Sequence, residues 1–278
     1  MRVPDAFLKC VGFISIDRSP GDSPYIGTMF VVGIKTKSGG VLLHAVTARH
    51  VAESVGGRPF LFGINFKDGR AGWLRSELPW WYHPTEPMTD VAVTIFAPTE
   101  RCDVEYILEA TFVDDESIKE FNIGPGDELS VVGLFTNFYG STKHIPIVRT
   151  GNVAMMPSDS LPTDSGPTEV YLAEGRSIGG LSGSPVFVRP TTRIMGLGDE
   201  SGRPRPVFGA GGFQFFGLMR GHWDLPIGTP PVTAEAVNMG ISIVVPAKKI
   251  LETLYHPELV ALREKRDQEL GAMGNQPG

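Results

Sequence analysis

Gly179-Gly180-Leu181-Ser182-Gly183-Ser184-Pro185-Val186-Phe187, GGLSGSPVF, sets one serine among residues nearly devoid of side chain and follows it at once with an apolar strand signal. Glycine can serve two ends in such a place. It permits the backbone angles of a tight turn, and it leaves N–H groups bare where they must face a reacting atom. Which end applies depends on whether the rest of the chain supplies partners for the serine. A hydroxyl is a poor nucleophile at neutral pH, and it needs a base within hydrogen-bond reach and an acid that fixes the base's tautomer.

The chain around this stretch reads as a strand-rich globular protein. Its 278 residues can bury a substantial core in one large domain or two ordinary ones. With 34 glycines and 23 prolines, turns between short strands are abundant, which favours an all-β chain. Apolar runs bounded by turn residues recur at 11–16, 26–35, 40–48, 59–66 and 90–96. After a charged stretch, DDESIKEFNIGPGDE, that reads as a short helix and a turn, further runs follow at 129–135, 144–156, 168–173, 184–188, 213–221 and 239–245. Two β modules result, over 1–110 and 111–245. PSDSLPTDSGP (157–167) and DESGRPRPVFGAGG (199–212) have loop composition. From Pro246 the pattern turns helical: Ile250, Leu251 and Leu254 share a face, and Pro257 opens a second helix that either packs on the second module or mediates association. The tail GAMGNQPG is expected to fray.

Charge and cysteine content exclude several functions. A formal charge of −6 without a basic stripe argues against nucleic acid, and nothing is long enough to span a membrane. The N-terminus, broken by Lys9 and Asp17, reads as mature sequence, and Cys10 and Cys102 are too few for a disulfide framework. A cytoplasmic setting is the expectation, with the cysteines either buried thiols or a single bridge. There is no H-E-x-x-H, no paired C-x-x-C and no phosphate-cradling loop, so no metal or cofactor is signalled.

Two residues stand out as partners for Ser182. His50, in AVTARHVAES, ends a strongly apolar strand. Asp90, in MTDVAV, heads a buried strand, where an acid is costly unless paired. Asp103 in RCDVEY is a rival acid with a poorer, linker position. Taken singly, each of the three is better explained as a turn, strand-end or cap residue.

Together, VTARHV, TDVAV and GLSGSP resemble the trypsin-like, chymotrypsin-fold serine proteases, in the family order His, Asp, Ser and 40 and 92 residues apart. IGTMFVV and GISIVVPAKKI resemble the strand before the histidine and the strand-to-helix exit of bacterial members. The resemblance implies two six-stranded Greek-key β-barrels packed face to face, with a C-terminal helical extension over 246–278. His50 and Asp90 would lie on the first barrel and Ser182 on the second. It implies a serine endopeptidase acting on peptide or protein substrates: Ser182 attacks, His50 relays the proton, Asp90 orients it, and the N–H groups of Gly180 and Ser182 form the oxyanion hole.

The esterase pattern G-x-S-x-G fails at Ser184. Leu181 replaces the acid that precedes the serine in secreted members, so packing or substrate must order this loop. By the same resemblance, Arg176 and Ser177 line the substrate pocket, unless that loop is shaped differently and Arg176 meets solvent. Gly221 and His222 lie on the strand that pairs with substrate backbone. The remaining histidines, 44, 83, 144 and 256, read as packing or surface residues, and PWWYHP as an aromatic cluster. The competing function is an inactive or latent module that keeps the cleft and binds peptides or protein partners.

Overall fold

The computed structural model describes residues 2–16, 25–163, 166–175, 180–195, 206–210, 212–225 and 237–274. After a short helix, α1 (Asp5–Lys9), the first module runs β1 (Val11–Ser15), β2 (Tyr25–Lys35), β3 (Val41–Thr47), α2 (Arg49–Val55), β4 (Phe60–Asn65), β5 (Ala71–Ser76), β6 (Trp81–Tyr82), β7 (Ala92–Ile95) and β8 (Ile107–Leu108). These strands form one eight-stranded sheet in the order β5-β4-β1-β2-β3-β7-β6, with β8 parallel to β2. Among the described residues the pairing path ends at β5 and β6, and the module stands as a second sheet beside the closed barrel of the other.

The connection holds α3 (Asp115–Glu120), started by Asp114, whose carboxylate accepts from the Ser117 N–H while Ser117 answers to the Asp114 N–H. The second module comprises β9 (Glu128–Gly133), β10 (Ile147–Met155), β11 (Leu161–Thr163), β12 (Gly166–Thr168), β13 (Tyr171–Glu174), β14 (Pro185–Arg189), β15 (Thr191–Met195), β16 (Pro206–Ala210), β17 (Gln214–Leu225) and β18 (Val237–Pro246). Six of them close a barrel, β10-β13-β18-β17-β14-β9. β11 with β12 and β15 with β16 form two-stranded ribbons outside it; β11, most of β12 and β16 fall in the segments 157–167 and 199–212 whose composition reads as loop, whereas β15 precedes the second of them.

The modules share a core. Phe215 on β17 packs against Phe30 of β2 and Phe112, at ring-centroid distances of 5.2 and 4.5 Å, and Phe7 of α1 stacks on Phe187 of β14 at 3.6 Å. Phe30, Phe187 and Phe215 are almost wholly buried, each contributing roughly 1.5–3 kcal/mol by leaving water. Cys10 and Cys102 are free buried thiols, and burial pushes the Cys10 thiol far above its ordinary range.

Two helices close the chain, α4 (Ala247–Leu254) and α5 (Pro257–Gly274). The helix α5 docks on the first module: Glu258 accepts from Trp81 Nε1 at 2.8 Å, Glu264 pairs with Lys37 at 2.7 Å, and Asp267 bonds Ser38. It continues to Gly274, through residues whose composition predicts fraying.

Candidate active site

Asp90 grips His50 twice. Its Oδ1 accepts the His50 backbone N–H at 3.0 Å and its Oδ2 accepts from Nδ1 at 2.8 Å. The first bond satisfies one of the orphan donors at the start of α2, where Ala48 has no side chain to do so, and a carboxylate there suits the helix dipole. The second leaves the proton on Nδ1 and the lone pair on Nε2, because an ionised carboxylate can only accept. Asp90 is 7% exposed, whereas the His50 side chain is half open to solvent. A buried, doubly bonded carboxylate thus orients an accessible imidazole.

The segment leading into Asp90 is braced from several sides. Pro87 accepts from Arg49 Nη1 at 2.6 Å, and the Lys249 ammonium on α4 reaches Glu86 Oε1 at 2.5 Å. Burial alone would raise the Glu86 carboxyl, but the bond to Lys249 holds it below its usual value. Buried His83 accepts the Glu86 N–H on Nδ1 and meets Glu252 through Nε2 at 2.6 Å. His83, Glu86 and Glu252 have the donor set of a metal site, their ligand atoms lying within 4.8 Å of one another. The Lys249 ammonium, also 3.4 Å from Glu252, already serves those carboxylates, so the cluster is complete as an ion-pair network.

Ser182 sits in a turn closed by Ser184 N–H to the Leu181 carbonyl at 2.9 Å. Gly183, third in that turn, has φ 86°, which favours glycine, and a Cβ there would lie 2.1 Å from the Thr28 carbonyl oxygen and 2.4 Å from Thr47 Oγ1. Its bareness lets the serine turn press against the strands that lead to His50. Gly180, at φ 95°, has a similar need: a Cβ would meet Thr136 at 2.8 Å. Leu181, in place of an acid, is 1% exposed in the second core, so packing orders the turn on that side.

Thr28, fully buried on β2, ties both modules to this turn. Its N–H donates to the Ser182 carbonyl at 3.0 Å, and its hydroxyl donates to the Gly180 carbonyl at 2.7 Å while accepting the Leu134 N–H at 3.0 Å. Its own carbonyl accepts from Thr47 Oγ1 at 2.7 Å. In the sequence Thr28 lies within IGTMFVV. A polar residue inside an otherwise continuous apolar run is the signal that could have found it.

The Ser182 hydroxyl donates to the Arg220 carbonyl at 3.1 Å, and no hydrogen bond joins it to His50. Arg220, also missed from sequence, lies on β17 beside Gly221 and His222. Its Nε is 3.7 Å from Asp90 Oδ2, the oxygen that holds His50. Gly221 has open space where a Cβ would stand, and the His222 side chain is exposed. Arg176 and Ser177 lie outside the described residues. Asp103 pairs with Lys9 at 2.8 Å near the surface and takes no part.

No protein-family model matches the chain, and no curated protein sequence does. Among solved structures, it resembles the apo MamO protease domain from Magnetospirillum magneticum with a TM-score of 0.51 and 14% identity, over 88% of this chain and 96% of that one. A second similar structure is Rv3671c from M. tuberculosis H37Rv, a serine-to-alanine mutant in its inactive form, with a TM-score of 0.46 and 15% identity over 90% and 88% of the two chains. With a closed six-stranded barrel, a second sheet packed on it and terminal helices, the chain has the trypsin-like serine protease fold.

Proposed function

We propose that this chain is a serine endopeptidase whose chemistry runs through Ser182, His50 and Asp90. The observation that carries the reading is the double grip of buried Asp90 on His50, which leaves Nε2 as a free acceptor on an exposed ring. Ser182 Oγ bonds to the scissile carbonyl carbon as its proton passes to Nε2, and Asp90 stabilises the imidazolium. The carbonyl oxygen gathers charge toward the N–H groups of Gly180 and Ser182. Collapse breaks the C–N bond while Nε2 returns the proton to the leaving amine. A water molecule, losing its proton to Nε2, then cleaves the acyl ester and restores Ser182. Arg176 belongs to the same proposal as a pocket residue favouring acidic or small side chains, and a peptide library cleaved after Lys or Arg would remove it.

One observation favours a second reading, a latent module that binds peptides without cleaving them: the nucleophile's hydroxyl is engaged by the Arg220 carbonyl and must rotate before His50 can take its proton. A fluorophosphonate probe followed by intact mass separates the two. Stoichiometric labelling of the wild type, lost in Ser182→Ala and His50→Ala, supports the enzyme. An unlabelled wild type that still binds peptides supports the latent module.

A further inference from the structure

Between α5 and the outer face of the first sheet runs a groove of about 550 Å³, away from Ser182. Its walls are largely hydrocarbon: Val41, Leu42 and Leu43 of β3, Ile95 and Pro98 from the end of β7, and Leu262 of α5, which is 40% exposed. Set into them is the Arg263 guanidinium, with the residue only 8% exposed. A buried guanidinium is costly unless an anion or a full set of acceptors compensates it. Here Nη1 donates to the Leu254 carbonyl at 2.6 Å and approaches His44 Nε2 at 3.4 Å, and the group lies 5.1 Å from the Tyr255 ring centre. No carboxylate among the described residues pairs with it. Glu109, whose charge acts on it, is engaged by the Tyr255 hydroxyl at 2.7 Å. Nε and Nη2 make no hydrogen bond among the described residues.

His44 is no substitute for an anion. It is 1% exposed, its Nε2 faces the Arg263 donor, and burial together with that cation lowers it to about 3, so it stays neutral. Its Nδ1 makes no well-formed hydrogen bond. The rim adds Lys265, without an ion-pair partner among the described residues, whereas Arg266 is paired with Glu269 at 3.1 Å. On a chain of net charge −6, this groove combines hydrocarbon walls with surplus positive charge.

We propose that the groove binds an aliphatic carboxylate, its head seated on Arg263 and its chain along Val41–Leu43, Ile95 and Leu262. A carboxylate would supply the missing countercharge to the two unengaged guanidinium nitrogens, and the tail would leave water against side chains already lining the groove. The proposal stands apart from the proteolytic reading, since it uses none of the residues around Ser182.

Titration of the intact chain with octanoate, octanamide and acetate, by calorimetry and by NMR of carboxyl-labelled octanoate, tests it. Octanoate should bind at least about tenfold more tightly than octanamide, which lacks the charge, and than acetate, which lacks the tail. Leu262→Asp, which puts a competing carboxylate at an exposed wall position, should abolish binding without touching the Arg263 contacts to α4. Arg263→Gln should weaken it by about tenfold or more. If that variant loses its fold, Arg263→Lys, with a weaker and displaced carboxyl shift, takes its place. Octanamide binding as well as octanoate, Leu262→Asp binding like the wild type, or no octanoate binding at millimolar concentration would overturn the proposal.

Discussion

Replacing Thr28 by valine keeps volume and branching but removes the hydroxyl that joins the two modules at the Ser182 turn. Two buried bonds disappear, to the Gly180 carbonyl at 2.7 Å and from the Leu134 N–H at 3.0 Å, and both backbone groups are left facing a methyl. Each orphaned partner costs about 1–3 kcal/mol, so the variant should lose roughly 2–6 kcal/mol, a large share of a typical domain's stability. The effect on chemistry should be distinct. With its carbonyl released, Gly180 is free to turn about its backbone, which moves an N–H assigned to the oxyanion hole. Misplacing one such donor lowers rates about 100- to 1,000-fold. Urea unfolding and the rate of fluorophosphonate labelling, measured on the same preparations, read the two effects. Thr28→Ser, which keeps the oxygen, should recover most of both. If Thr28→Val labels at the wild-type rate while losing the expected stability, Thr28 merely holds the modules together. If Thr28→Ser is as impaired as Thr28→Val, packing and not the hydroxyl matters, and the clamp argument fails.

Gly183→Ala should be far more damaging than an ordinary alanine substitution. Positive φ costs about 1–2 kcal/mol, and the new methyl collides with the Thr28 carbonyl, so a marked drop in melting temperature and loss of labelling are expected. Asp90→Asn should slow labelling by roughly four orders of magnitude while a thermal melt changes much less, because an amide can present the wrong tautomer to His50; near-wild-type labelling would remove Asp90 from the mechanism. For His44, the unfolded chain binds a proton below the ordinary value of 6.5, whereas the folded chain does not until about 3. Stability should therefore fall as pH drops from 6.5 toward 3, by up to roughly 5 kcal/mol, and His44→Gln should flatten the dependence of the urea midpoint on pH; an unchanged slope would assign the acid sensitivity to other groups. Arg220→Gln removes a cation that attracts Asp90 before and during reaction but repels only the imidazolium formed on the way. Faster labelling, on the order of tenfold, is expected, and slower labelling would make the guanidinium a support for Asp90 instead.

What could be read from the sequence follows from how locally each feature is determined. Strands with near-continuous apolar runs, such as 26–35 and 239–245, are legible because residues 27–34 and 242–245 are buried on both faces of the sheet. The strand β5 is not: Trp73 is 40% exposed and Arg75 lies on an edge, so AGWLRS carries little apolar signal. The ribbon β11–β12 pairs outside the closed barrel, and its Leu161, Pro162, Thr163, Gly166 and Pro167 are at most half-buried, so LPT and GPT carry little of the apolar signal that marks a core strand. The docking of α5 on the first sheet depends on pairs more than 170 residues apart, such as Trp81 with Glu258, which no local pattern encodes.

Around the candidate site the same distinction separates residue types from their arrangement. His50, Asp90 and the serine turn were visible as motifs, and the structure brings His50 and Asp90 into contact. The state of the serine was not visible, because it turns on a backbone carbonyl, that of Arg220, which any side chain at that position would present. The guanidinium of Arg220, in contrast, is sequence-specific and lies against the oxygen that orients the base. One residue thus touches the candidate site through two unrelated routes, its carbonyl on the Ser182 hydroxyl and its charge on Asp90. A substitution at position 220 changes the charge and leaves the carbonyl in place. Labelling that stays slow in Arg220→Gln would therefore point to the carbonyl bond as the restraint on Ser182, whereas a gain would point to the charge.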